Sequence, residues 1–170
     1  MRALLAVLAL LFAALPAAAQ ERNWREVRDG KGVYAVLLPG KADGYNDVTA
    51  QGEAAGHNVE LDNGAHYFDI YRVEAPQAPP NKAEHTAFLK EKIDASVAAA
   101  NGTLLSAQPV TLAGFIGSEV VVDFPSLGGR LRQRHFVVEK RIVQQTWSGP
   151  PGQETSPDVE KFFASLKLKP

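Results

Sequence analysis

The sequence predicts an α+β fold in which a single antiparallel β-sheet is flanked by one long helix and a short C-terminal helix. Short segments with alternating apolar and polar residues are separated by turn residues, which is typical of antiparallel strands. One central stretch repeats apolar residues at four-residue spacing, as an amphipathic helix does. A segment with helix-capping residues and a pair of phenylalanines lies close to the C-terminus.

Residues 1–19 predict a secretory signal peptide. Arg2 precedes the apolar run 3–15, and three alanines form a small-residue cleavage site before Gln20. The apolar run is shorter than the roughly 20 residues that cross a bilayer. We therefore expect cleavage after these alanines, one domain over residues 20–170, and a soluble periplasmic or secreted protein with no transmembrane segment.

Charge and cysteine content exclude several functional classes. The chain has 18 basic and 19 acidic residues, and loss of Arg2 leaves the mature chain slightly acidic. This balance argues against nucleic acid as a partner. The absence of cysteine excludes disulfides, thiol catalysis and thiolate metal sites.

The first elements are two short strands at residues 23–28 and 33–38, joined by a turn with two glycines at 29–32. Residues 41–56 are polar and contain glycine. They predict an exposed excursion with at most a weak strand near Val48.

Asn63 and Gly64 predict a tight hairpin, because both residues adopt positive φ at low cost. This turn pairs Leu61 with His66. Alternation then divides the hairpin between two faces: Val59, Leu61, Phe68 and Ile70 lie on one, and Tyr67 and Tyr71 beside Asp69 and Glu60 lie on the other.

The long helix is expected to start at Asn81, whose side chain can cap it while Glu84 completes a capping box. Its apolar stripe consists of Leu89, Ile93 and Val97. Gly102 follows as a stop signal.

Four further strands are expected at residues 103–112, 118–124, 130–138 and 141–147. The last two are separated by the two-residue turn Glu139-Lys140. A short helix follows, capped by Thr155 or Ser156 with Pro157 in its first turn. The side chains of Phe162, Phe163 and Leu166 dock it on the sheet.

Arg130, Arg132 and Arg134 occupy alternate positions of one strand and so share one face. The two-residue turn places Trp147 opposite Arg132. Two interpretations remain open. The face is either a solvated, charged strand that resists edge-to-edge pairing, or a basic and aromatic patch of these four residues that docks an acidic partner or an anionic head group.

The sequence contains no recognisable motif of catalytic residues. The four histidines lack the spacing of a zinc site, and Ser118 lacks the closing glycine of a nucleophile elbow. A looser possibility is an acid and base pair among Glu60, Asp62 and Asp69, which keeps a small hydrolase open as a less favoured alternative. We expect no metal, no cofactor and no enzymatic activity.

Several short blocks carry a family resemblance: residues 38–41, 67–71, 112–114 with Glu119, 134–147 and 162–168. They resemble a group of small exported bacterial domains with the PsbP/Mog1-like α/β/α sandwich. The resemblance implies an antiparallel sheet flanked by helices, in proteins that bind or assist a larger complex and do not catalyse. It carries over no site residue.

The expected function is therefore a non-enzymatic exported binding or accessory domain whose partner is an envelope protein or complex. The alternative is a carrier of a small ligand or lipid. In that case Tyr67, Tyr71, Phe115 and Phe124 line a cleft between sheet and helix.

Overall fold

The computed structural model describes residues 22–49, 52–125 and 128–170. The predicted signal peptide and its cleavage site before Gln20 lie outside these residues.

The described residues form ten strands and two α-helices. The strands are β1 (Trp24–Arg28), β2 (Tyr34–Pro39), β3 (Asp43–Thr49), β4 (Gly52–Leu61), β5 (His66–Glu74), β6 (Thr103–Leu112), β7 (Phe115–Phe124), β8 (Gly129–Val138), β9 (Arg141–Gly149) and β10 (Lys167–Leu168). The helices are α1 (His85–Ala99), preceded by a 3₁₀ turn at Lys82–Glu84, and α2 (Pro157–Ala164).

The strands form two antiparallel sheets, which corrects the prediction of a single sheet. The large sheet has the order β3-β4-β5-β9-β8-β7-β6, and the small sheet has the order β1-β2-β10. Strand β2 buries Tyr34, Val36 and Leu38 on one side. Packing these side chains face to face against the large sheet removes them from water, which pairing at its edge would not do.

The predicted excursion at residues 41–56 is wrong, because β3 and the start of β4 form a hairpin here. Its polar composition has a physical reason. Strand β3 is an edge strand, and its residues are mostly exposed, including Val48 at 80%. A strand covered on neither side shows no apolar alternation.

Both predicted hairpin registers are confirmed. Leu61 lies opposite His66, with Asn63 and Gly64 at positive φ, and Arg132 lies opposite Trp147. The predicted cap is confirmed in part: Asn81 Oδ1 accepts a hydrogen bond from the backbone of Ala83 at 3.1 Å, but it caps the 3₁₀ turn, and α1 itself begins later, at His85.

The two faces of the large sheet have different covers. On one face, α1 packs Leu89 and Ile93 against Val120, Val122 and Val137. The opposite face is covered by the small sheet and α2, whose Phe162 and Phe163 enter a core with Trp147. In the part of the chain that the structure describes, neither helix is both long and apolar enough to cross a membrane.

Candidate functional site

The arginine face of β8 lies against α2. Arg132 is 7% exposed and Trp147 is 0% exposed. The Arg132 guanidinium lies 4.6 Å from the centre of the Phe163 ring instead of stacking on an exposed indole. This face is therefore neither a solvated strand nor an exposed basic patch.

The charges of these arginines are paired within the chain. Glu119 of β7 accepts hydrogen bonds from Arg134 and from Arg132, the latter at 3.2 Å. Arg130 pairs with Asp123 at 3.2 Å and with Glu154 at 2.9 Å. Burial raises the pKa of Glu119, but the hydrogen bonds and charges of the two arginines outweigh it and lower the pKa overall. This network holds the C-terminal segment on the sheet.

The four aromatic residues expected to line one cleft do not come together. Phe115 and Phe124 lie at opposite ends of β7, about 30 Å apart at ~3.3 Å per residue. Phe115 packs against the α2 core, whereas Phe124 borders an open cleft of about 570 Å³ at the far end of the sheet. Tyr67 and Tyr71 share one face of β5, and Tyr71 does line a cavity beneath α1.

Helix α1 lies mainly over β6, β7 and β8, and no other α-helix of the described residues lies over the β3–β4–β5 side of this face of the large sheet. Side chains on the β3–β4–β5 side combine carboxylates with tyrosines. We call them the acidic tyrosine face, which consists of Asp43, Tyr45, Glu60, Tyr67, Asp69 and Tyr71.

Asp69 is at the centre of the acidic tyrosine face and is only 7% exposed. The Tyr45 hydroxyl donates a hydrogen bond to its Oδ1 at 2.9 Å. Burial raises the pKa of Asp69 to about 6, although hydrogen bonds from Tyr45 and the Ile70 backbone oppose this rise. Burial, Asp69 and Glu60 together raise the pKa of Tyr67 to about 12, so its hydroxyl stays protonated and able to donate.

The described parts of β3, β4 and β5 place no lysine or arginine side chain on this face. Among the residues of β3, β4 and β5 that the structure describes, the one lysine or arginine is Arg72. Its side chain turns to the opposite face, where Nε donates to Asp29 at 2.8 Å. The acidic tyrosine face therefore presents carboxylates without basic neighbours on the same strands.

A small cavity adjoins this face beneath α1. Its volume is about 80 Å³, and Tyr71 belongs to both sites. His135 lines the cavity at 8% exposure, and its Nδ1 has no hydrogen-bond partner among the described residues. Burial lowers the pKa of His135 to about 4, with hydrogen bonding by Gln144 opposing the change. The imidazole is therefore neutral at pH 7.

Sequence reasoning placed Tyr67 and Tyr71 on one face beside Asp69 and Glu60, but it missed Tyr45 and His135. Tyr45 lies in the segment predicted as an excursion. The alternation of β8 was available as a signal, because it places His135 on the face opposite to the arginines. Among the described residues, this site included, no three His, Asp or Glu side chains form an arrangement suited to a metal ion.

Comparison with known proteins identifies the fold. No protein-family model matches the chain, and no curated protein matches it significantly. The solution structure of cyanobacterial PsbP (CyanoP) from Synechocystis sp. PCC 6803 matches with a TM-score of 0.63 at 10% identity, over 92% of this chain and 99% of that chain.

Two other solved structures are less similar. A protein of unknown function from Pseudomonas aeruginosa, described as a putative regulator, has 14% identity and a TM-score of 0.49 over 86% of this chain and 98% of its own. A protein from Bacteroides thetaiotaomicron VPI-5482 has 11% identity and a TM-score of 0.49 over 85% and 48%. The match to cyanobacterial PsbP shows that this chain has a PsbP-like α+β fold, as its sequence blocks predicted.

Proposed function

We propose that this chain is a non-enzymatic, exported binding or accessory domain of the bacterial cell envelope. Its partner is a protein that docks a basic segment on the acidic tyrosine face. The signal peptide predicted from the sequence supports export to the periplasm. The resemblance to exported domains that assist larger complexes supports the accessory role.

The burial of Asp69 is the observation that carries the proposal. A carboxylate that is 7% exposed and has its pKa raised to about 6 reduces stability at neutral pH, because burial disfavours its charged form. Ionisable groups held in such environments cluster at functional sites. The Tyr45 hydroxyl holds this carboxylate in place at 2.9 Å.

The chemistry of the face indicates the kind of partner. Tyrosine supplies a large, rigid contact surface with a polar tip and is enriched at protein interfaces. Arginine and lysine also bind over tyrosine rings. Together with the carboxylates of Asp43, Glu60 and Asp69, these rings favour a partner segment that presents arginine or lysine.

The acidic tyrosine face carries negative charge, whereas the docking patch expected from the β8 arginines was positive. A patch that docks an acidic partner needs free guanidinium groups. Those of Arg132 and Arg134 are engaged by Glu119 and by the α2 region. The proposal therefore uses the other face of the same sheet.

One observation that supports the carrier alternative is the cavity beneath α1. Its volume is about 80 Å³. This size is too small for a lipid chain. We therefore limit the alternative to small ligands.

Crosslinking in the native host tests the docking proposal. A photoreactive phenylalanine analogue replaces Tyr67 in the full chain, and in a matched control it replaces Glu53. Glu53 is an exposed residue of β4 whose place in the alternation is on the opposite face. We expect adducts with an envelope protein from position 67 and not from position 53. Equal adducts from both positions, or none from position 67, would contradict the proposal.

A further inference from the structure

A second site is formed by the cavity between α1 and the large sheet, which the docking proposal does not use. Its polar lining consists of Tyr71, Gln77, Lys92, Ser96, His135 and Gln144. Apolar residues of both layers also line it, including Ile142 of the sheet and Leu89 and Ile93 of α1. The lining is thus mixed, with several polar groups beside an apolar surface.

His135 is the first indication that this cavity takes a ligand. The ring is more than nine-tenths buried, and Nδ1 has no partner in the part of the chain that the structure describes. Buried polar atoms without a partner are uncommon in proteins, and each one calls for an explanation. A ligand oxygen in the cavity would accept a hydrogen bond from Nδ1 in the tautomer that carries a proton there.

The charge of the lining is the second indication. Lys92 is its one ionic residue, and neither Asp nor Glu lines the cavity. The Nζ atom of Lys92 lies 5.5 Å from the centre of the Phe88 ring. Its contact with Glu91 is loose, at 3.4 Å, and Glu91 is 75% exposed. A ligand carboxylate could therefore displace Glu91 easily.

We propose that this cavity binds a small carboxylate, of the size of formate or acetate, between Lys92 and His135. Lys92 supplies a charge-assisted hydrogen bond to the carboxylate. The hydroxyl groups of Tyr71 and Ser96 offer further donors, whereas the amide of Gln144 already donates to Thr146 at 3.2 Å. The small volume, about 80 Å³, favours an acid of this size.

The ring ¹⁵N signals of His135 in the full chain report binding directly. Sodium acetate is the probe, and acetamide is its neutral analogue of nearly the same shape. We expect a saturable shift with acetate and none with acetamide. Absence of a saturable shift with acetate, or an equal response to acetamide, would overturn the proposal.

Two lysine variants separate a specific site from general anion binding. Lys92→Met should weaken acetate binding about tenfold or more, the order expected for losing a charge-assisted hydrogen bond. Lys90→Met is the matched control, because Lys90 is on the same helix, pairs with Asp94 and does not line this cavity. Equal effects of the two variants would overturn the proposal. The Lys90 and Lys92 side chains are 74% and 32% exposed, and neither belongs to the hydrophobic core.

Discussion

Tyr45 of β3 reaches across the intervening strand β4 and donates a hydrogen bond to Asp69 of β5 at 2.9 Å. The crossing is possible because Gly56 of β4 lies between them without a side chain. The hydrogen bond connects an exposed edge strand to a buried carboxylate. The β3–β4–β5 side of the large sheet is thus a fixed arrangement, and its parts can be tested separately.

The first prediction concerns Asp69. Its pKa is raised from 3.8 to about 6 in the folded state, so the folded chain binds more protons between these values. The stabilisation that this tighter proton binding gives the folded state is fully present below pH 3.8 and is lost as the pH rises through 6. Asp69→Asn should therefore raise the free energy of unfolding at pH 7.5 by up to about 3 kcal/mol, at about 1.4 kcal/mol per pKa unit.

Urea unfolding at pH 7.5 and at pH 3.5 measures this effect. The stabilisation by Asp69→Asn should vanish at the lower pH. Asp43→Asn, an exposed carboxylate of the same face, should change stability little at either pH. A destabilised Asp69→Asn variant at pH 7.5 would contradict the account of burial.

The second prediction concerns His135, whose pKa is lowered from 6.5 to about 4 by burial. The unfolded chain binds more protons between these values. The stability that the neutral ring contributes is present above pH 6.5 and is lost as the pH falls through 4, by about 3 kcal/mol. In the wild type, Asp69 offsets this loss over nearly the same range. His135→Gln should therefore become more stable relative to wild type on acidification, whereas Asp69→Asn should become less stable.

The third prediction concerns Gly56. A methyl group here would lie 2.5 Å from the carbonyl oxygen of Ile70 and 2.7 Å from the Tyr45 hydroxyl oxygen. Because the first of these is backbone, Gly56→Ala should destabilise the fold by about 1–3 kcal/mol. Gly30→Ala is the control, since nothing lies within 4 Å of that position. Thermal unfolding of the two variants should differ accordingly, and equal melting temperatures would exclude the clash.

The fourth prediction concerns Arg132. Arg132→Met leaves Glu119 buried with one of its two arginine partners removed, which should destabilise the chain by about 3 kcal/mol. Arg28→Met removes an arginine whose side chain is 73% exposed and should have little effect. Chemical denaturation compares the two. A neutral result for Arg132→Met would show that the β8 arginines are not a structural network.

Local patterns in the sequence predicted local structure well. The turns at Asn63-Gly64 and Glu139-Lys140 determined two hairpin registers, because a two-residue loop leaves one pairing. Which face of a strand is covered depends on distant segments. Glu119 and α2 neutralise and bury Arg132, although α2 begins 25 residues further along the chain. Alternation alone therefore could not distinguish a solvated face from a buried one.

The candidate site was predictable in part for the same reason. Tyr67, Asp69 and Tyr71 share a face by alternation. Tyr45, the third tyrosine of this face, lies on an edge strand that has no apolar pattern. The burial of the Asp69 side chain depends on Tyr45 and on the strands beside β5. The separation of Phe115 from Phe124 follows from the length of β7, which starts three residues earlier than predicted.

The central claim is that the acidic tyrosine face docks a basic partner. Its most direct test is the dissociation constant of the partner crosslinked at position 67, measured for wild type, Glu60→Lys and Glu53→Lys. The two variants make the same substitution on the same strand, on opposite faces. The account predicts that Glu60→Lys weakens binding about tenfold or more at low salt, while Glu53→Lys leaves it nearly unchanged. Equal affinities for the two variants would contradict it.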